Sequence, residues 1–274
     1  MCYSFSADFP ELGRDPMAGR TFSLEDHPEL LEPVIDGLNF PQVNVLAKTE
    51  GKDDYEVTAQ HWGFLPGYIS NATAAAQMRK GYKDVSGQFV MPNPLLNARG
   101  EELLLPRKIF RGAALEKRVL VPANGFYEWM HHYPMGKKGQ RLKTHISIPH
   151  FIYMREQPVF YLAGISRTWT DQETGEMTDT FSIVTTDANE LLSKIHNSKK
   201  RMPVILPPAL AEEWLMHTNM SEERIRELAV HQQRSEMMDA YTIGKDFKAS
   251  PAPKTKVAYR ELEEDTNGTP LTLF

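Results

Sequence analysis

Four side chains in this 274-residue chain have the types for covalent and proton-transfer chemistry, and they lie far apart: Cys2, Asn97, Glu128 and His196. Cys2 is the only cysteine. Loss of Met1 puts two nucleophiles on this one residue, an α-amine with a reference pKa of about 7.7–8.0 and a thiol near about 8.5. Such a residue can attack an amide, using its own amine as base. It can also condense with an aldehyde to an imine, which the thiol closes to a thiazolidine. The plain alternative is a cysteine without function at a chain end. Glu128, in NGFYEW, is flanked by Tyr127 and Trp129, and an apolar setting raises a carboxyl pKa enough to make a proton donor. The alternative is an outward-facing glutamate at a strand end. His196, in KIHNSKKRMP, can serve as a general acid or meet a phosphate, or can interact with a helix C-terminus. Asn97, in NAR, can orient an amine or thiol, and Arg99 can fork onto a phosphate. Trp62 and Trp129 can stack on bases or pack in a core.

The composition sets limits on that chemistry. A hydrophobic share of 41% and a charged share of 24% describe a globular chain able to bury a full core. One cysteine excludes an internal disulfide framework and fits a reducing cytoplasm. No segment reads as a signal peptide or membrane span, and the scattered histidines lack zinc-site spacing, so neither a membrane partner nor a metal is expected. A net charge of −5 argues against general nucleic-acid binding. The basic stretches 106–118, 137–143 and 198–203 nevertheless leave room for a local basic groove.

The elements that must position these residues are mostly strands. Residues 57–64 alternate loosely, and 144–149, 158–165 and 178–186 are rich in β-branched and aromatic types. The polar turn 171–177 predicts a hairpin. Residues 118–129 read as two strand pieces around Pro-Ala-Asn-Gly. Helices are expected over 72–82, stopped by Gly81, from a capping box at Asp187/Glu190, and in PPALAEEWLMH and SEERIRELAVHQQ. Strands with interspersed helices, and no regular βαβ alternation, predict an α+β fold. It is expected to be a single domain with a mainly antiparallel, barrel-like β core and flanking helices. The domain spans residues 2–245, followed by an extended tail over 246–274.

The order of the motifs adds a resemblance. Met1-Cys2, WGFLP (62–66), NAR (97–99), RVLVPANGFYEW (118–129), FYLAGISRTW (160–169), FSIVTTDAN (181–189) and IH with RMPVIL (195–206) together resemble the SRAP family, the SOS-response-associated peptidase-like proteins. The resemblance implies a β-rich fold with a positively charged groove for single-stranded DNA. It also implies a mature N-terminal cysteine that captures the aldehyde of an abasic site as a thiazolidine crosslink. Carried onto this chain, it makes Cys2 the nucleophile, Asn97 the residue that positions it, Glu128 the general acid/base and His196 the residue beside the abasic sugar. Arg99 and Arg201 would contact phosphate, Trp62 and Trp129 match family tryptophans, and Lys199 and Lys200 would add charge. Tyr3 and Ser4 stand where the family usually carries glycine and arginine. The expectation is therefore a monomeric, cytoplasmic abasic-site sensor acting on DNA, without cofactor. An autoprocessing peptidase or amidohydrolase and a non-covalent single-stranded DNA-binding module are the alternatives.

Overall fold

The computed structural model describes residues 2–8, 32–136 and 140–264. Its first strands are β1 (Ser4–Ala7), β2 (Glu32–Asp36), β3 (Gln42–Lys48) and β4 (Tyr55–Trp62). Helix α1 (Ala72–Lys80), a small hairpin of β5 (Tyr82–Lys83) and β6 (Phe89–Val90), and β7 (Asn97–Arg99) follow. Then come α2 (Arg111–Glu116), β8 (Arg118–Ala123), β9 (Gly125–His132), β10 (Ile146–Met154), β11 (Phe160–Thr170) and β12 (Met177–Asp187). The chain continues through α3 (Glu190–Ile195), β13 (Arg201–Pro203), β14 (Ile205–Leu206), α4 (Pro208–Met216), α5 (Glu222–Ala229), β15 (Met238–Thr242) and α6 (Arg260–Glu264).

The fold is the expected single α+β domain. Strands β4, β3, β8, β11 and β12 pair in that order, and β12 pairs back with β4, which closes a five-stranded barrel. The β11–β12 hairpin forms around residues 171–176 as the turn residues predict. A second, open sheet runs β15-β10-β9-β1-β2. Within β8, successive side chains serve different clusters, as the two-residue period of a strand requires. Val119, Val121 and Ala123 pack with Phe5, Phe126 and Ile152 of the open sheet. Leu120 packs with Trp214 of α4 and Ile225 of α5.

The Pro-Ala-Asn-Gly segment is not the turn of a hairpin. Pro122 and Ala123 stay in β8, which pairs with β11, and Gly125 begins β9, which pairs with β1 and β10. Asn124 is thus the single residue at which the chain changes sheets. Gly125 is required there, because a Cβ would overlap the Phe151 ring. The cap of α3 also differs from expectation. The Asn189 side chain accepts from the Leu192 amide, while Asp187 ends β12 and binds Arg201.

The segment just after residue 245 packs against the domain. Phe247 is buried and stacks on Tyr127 with ring centroids 4.5 Å apart. Ile243 bridges to Lys256, and the Tyr259 hydroxyl donates to the Ile243 carbonyl. Phe247 and Tyr259 thus join this Pro-containing segment to the domain, a contact its composition alone does not reveal. The tail beyond residue 264 lies outside the described residues.

Candidate active site

The four chemically competent residues come from different elements: Cys2 precedes β1, Asn97 opens β7, Glu128 lies within β9 and His196 ends α3. Cys2 precedes β1, which pairs antiparallel with β9 in the register Ser4↔Tyr127. That register brings the start of the chain alongside Glu128. Asn97 opens β7, which is held parallel to β12 by Ile183↔Asn97. His196 caps the C-terminus of α3, and its amide donates to the Leu192 carbonyl. The loop that follows is anchored by Asn197, whose side chain both donates to and accepts from the backbone of His131 in β9.

The structure brings these residues together. Asn97 Nδ2 donates to the Cys2 carbonyl at 2.9 Å. His196 Nδ1 lies 3.9 Å from Glu128 Oε1. Cys2, Glu128 and His196 are all buried. Burial pushes the Glu128 carboxyl up to about 7, so it holds a proton well into the neutral range. Burial, with the Glu128 charge adding to it, pushes the Cys2 thiol up, which keeps it a thiol, and its Sγ points to the Ser4 carbonyl at 3.8 Å. Burial pulls the His196 imidazole down to about 4, so it is neutral. Its Nδ1 is 2.9 Å from the Arg201 carbonyl, an acceptor only, so Nδ1 carries the hydrogen and Nε2 presents a lone pair.

Beside this cluster opens a cavity of about 450 Å³, lined among others by Tyr3, Asn97, Arg99, Arg107, Lys108 and Phe110. Arg99 is exposed and reaches Glu102 at 3.4 Å. Lys199 and Lys200 are exposed on the loop after His196, and Lys199 is near enough for its charge to disfavour protonation of His196. Arg107, Lys108 and Phe110 are absent from the expected site. Their signal was the basic run 106–118, which the fold divides. Arg118 is buried and donates to the carbonyls of Ala114, Trp214 and His217 at the ends of α2 and α4, and Arg111 pairs with Glu222. Only Arg107 and Lys108 of that run's cations face the cavity.

Three of the expected DNA contacts have partners within the protein. Trp62 is wholly buried, its indole nitrogen donating to the Leu96 carbonyl at 2.8 Å and its ring lying against Phe5 and Phe181. It is a core residue. Trp129 lies one residue beyond Glu128 on β9, so its side chain takes the opposite face and packs on Phe247 with centroids 5.9 Å apart. Arg201 has a side chain 6% exposed, and its guanidinium is occupied by Glu101 at 2.7 Å, Asp187 at 2.8 Å and the Thr185 carbonyl at 2.7 Å. That fork is committed internally and does not face a phosphate.

A closed barrel, a flanking open sheet and a Cys-Asn-Glu-His cluster beside a cavity lined by cations define a protein that holds a buried thiol next to a basic cleft. The family model described as SOS response associated peptidase (SRAP) matches residues 19–250. The chain belongs to the SRAP family. It is 29% identical over 203 residues to abasic site processing protein YoaM of Bacillus subtilis, covering 74% of this chain and 75% of that one. It is 32% identical over 126 residues to abasic site processing protein HMCES of Gallus gallus, covering 42% of this chain and 36% of that one. Among solved structures, a protein from Bacteroides thetaiotaomicron aligns with a TM-score of 0.71 and 28% identity, over 94% of this chain and 100% of its own. A phage-related protein of Bordetella bronchiseptica shares the fold, with a TM-score of 0.55 and 19% identity, over 89% of this chain and 95% of its own.

Proposed function

We propose that the protein processes abasic sites in single-stranded DNA by forming a covalent bond between Cys2 and the lesion. The observation that carries this reading is the convergence of Asn97 on the Cys2 backbone and of Glu128 and His196 beside it. The names of the relatives, abasic site processing proteins, give the same substrate class.

The chemistry follows from the protonation states. With Met1 removed, the Cys2 amine attacks the C1′ aldehyde of the ring-opened sugar and gives a carbinolamine. Glu128, held as the carboxylic acid by burial, donates its proton to the departing hydroxyl, water leaves, and the iminium nitrogen returns its proton to the Glu128 carboxylate to give the imine. The thiol, still protonated, then adds through sulfur to the imine carbon. Its proton ends on the nitrogen, and the thiazolidine is closed. Amine attack comes first because burial makes the thiolate scarce. Asn97 fixes the carbonyl of Cys2, and so the direction of its amine. His196 Nε2 accepts a hydrogen bond from a sugar hydroxyl. The cations at the cavity meet phosphates and shield the lesion from strand cleavage.

A peptidase reading uses the same Cys2 but needs a thiolate, and the thiol here points to a carbonyl rather than an imidazole. Intact-mass analysis tests it: autoprocessing requires Cys2→Ala to retain Met1. The principal experiment incubates processed protein with an oligonucleotide carrying one abasic site and reads a denaturing gel. A heat-stable shifted band lost in Cys2→Ala is expected. No band with the wild type, or an equal band with Cys2→Ala, ends the proposal.

A further inference from the structure

Tyr3 is the residue that the chemistry of Cys2 leaves unexplained. Its neighbour Cys2 is wholly buried, yet the Tyr3 ring is 37% exposed and lines the cavity. The backbone on both sides of this ring is pinned. The Tyr3 carbonyl accepts from the Gly37 amide at 2.9 Å, and the Cys2 carbonyl accepts from Asn97. A backbone held in this way sets where the side chain starts, so less freedom is lost when a flat group settles on the ring. The same cavity is lined by three cations, Arg99, Arg107 and Lys108, and by the single carboxylate of Glu102. Arg99 and Lys108 both reach that carboxylate. Arg107 is exposed and has no hydrogen-bond or ion-pair partner among the described residues. It is also held at φ 64°, in the left-handed region that a non-glycine residue enters at a cost. An unneutralised guanidinium and an aromatic ring thus line the same cavity.

An open aromatic ring and a free cation on the lining of one cavity of about 450 Å³ match a ligand that is flat in one part and anionic in another. We propose that this cavity is a subsite for one intact nucleotide directly flanking the reacting sugar, its base on the Tyr3 ring and its phosphate on Arg107 and Lys108. Tyr3 is then a positioning residue. By holding the neighbouring nucleotide it sets where the lesion's aldehyde falls relative to the Cys2 amine. The subsite rests on the reading of this face as the DNA face, but its binding is non-covalent and separable from the crosslink.

The test uses Cys2→Ala protein, in which no crosslink forms, and a fluorescein-labelled pentathymidylate without a lesion, read by anisotropy across a salt series. Replacing Tyr3 by Ala is expected to weaken binding about tenfold, the range for loss of one base–aromatic stack. Tyr3→Phe keeps the ring and is expected to keep the affinity, which a role through the hydroxyl would not allow. Arg107→Ala is expected to weaken binding and to lower the salt slope by about one. Absence of pentathymidylate binding in the parent, equal affinity of Tyr3→Ala and the parent, or a Tyr3→Phe loss as large as that of Tyr3→Ala overturns the subsite. The covalent reading fails separately. If wild-type protein gives no crosslink while Tyr3-dependent binding persists, the subsite stands and the crosslink does not. If crosslinking proceeds unchanged in Tyr3→Ala and binding is also unchanged, the reverse holds.

Discussion

Asn97 donates from Nδ2 to the carbonyl of Cys2 across 2.9 Å, joining two residues 95 positions apart in the chain. The bond exists because β7 is held in register on β12, while β1 is held on β9. Asn97 Oδ1 is buried and has no hydrogen-bond partner among the described residues, so the same side chain can accept a hydrogen bond from the Cys2 amine. Asn97→Ala is expected to lower stability by about 1 kcal/mol, the worth of one hydrogen bond. The crosslinking rate should fall by more than about tenfold, since misplacing an attacking atom is costly. Single-turnover gels beside thermal melts compare the two, and a rate loss no larger than the stability loss explains would remove Asn97 from the site.

Glu128 gives the stability a definite pH signature. Its folded value of about 7 lies above the ordinary 4.5, so the native state holds this proton more tightly than the unfolded chain does. The stabilisation is fully present below about 4.5 and is lost as pH rises to about 7, a change of about 3 kcal/mol. Glu128→Gln lacks this slope, so the variant should gain on the wild type between those values. His196 acts in the opposite sense. Its folded value of about 4 lies below 6.5, so stability is lost as pH falls through that window, in both proteins alike. Denaturant melts from about pH 4 to about pH 8 measure the difference. In crosslinking, the wild-type rate is expected to decline above about pH 7, and Glu128→Gln to lose that limb and about a hundredfold in rate.

Arg201 is a structural cation whose backbone serves the site. Its side chain joins Glu101, Asp187 and the Thr185 carbonyl, while its own carbonyl fixes the His196 tautomer. Arg201→Ala is expected to cost about 2–3 kcal/mol, because two carboxylates lose a shared partner. The salt slope of DNA binding should stay as it is in the wild type. A slope reduced by about one would return Arg201 to the phosphate-contacting role.

Phe247 ties the segment after β15 to the open sheet through Tyr127 and Trp129. Phe247→Ala is expected to cost about 3 kcal/mol, as for other buried phenylalanines. A chain ending at residue 245 should melt at least as low. Unchanged melting of both would show that the segment contributes nothing to the domain.

The residues themselves determined much of this protein. The strands rich in β-branched and aromatic types, the hairpin at 171–177 and the stop at Gly81 depend on local preferences, and the structure has them where the sequence places them. The motif order announced the SRAP family, because the order of motifs is written in the chain itself. What the tertiary structure alone decided was which side chains face the cavity and which are spent inside. NAR and RMP both offer an arginine, but Arg99 is exposed and Arg201 is buried among acids. Trp62 and Trp129 carry the same indole, but one fills the core and the other turns from Glu128 by the alternation of a strand. Charge and ring type are properties of a residue. Exposure, facing and partner depend on contacts between segments far apart in the chain, and those form only when the barrel closes and β9 leaves it at Asn124 to lie beside β1.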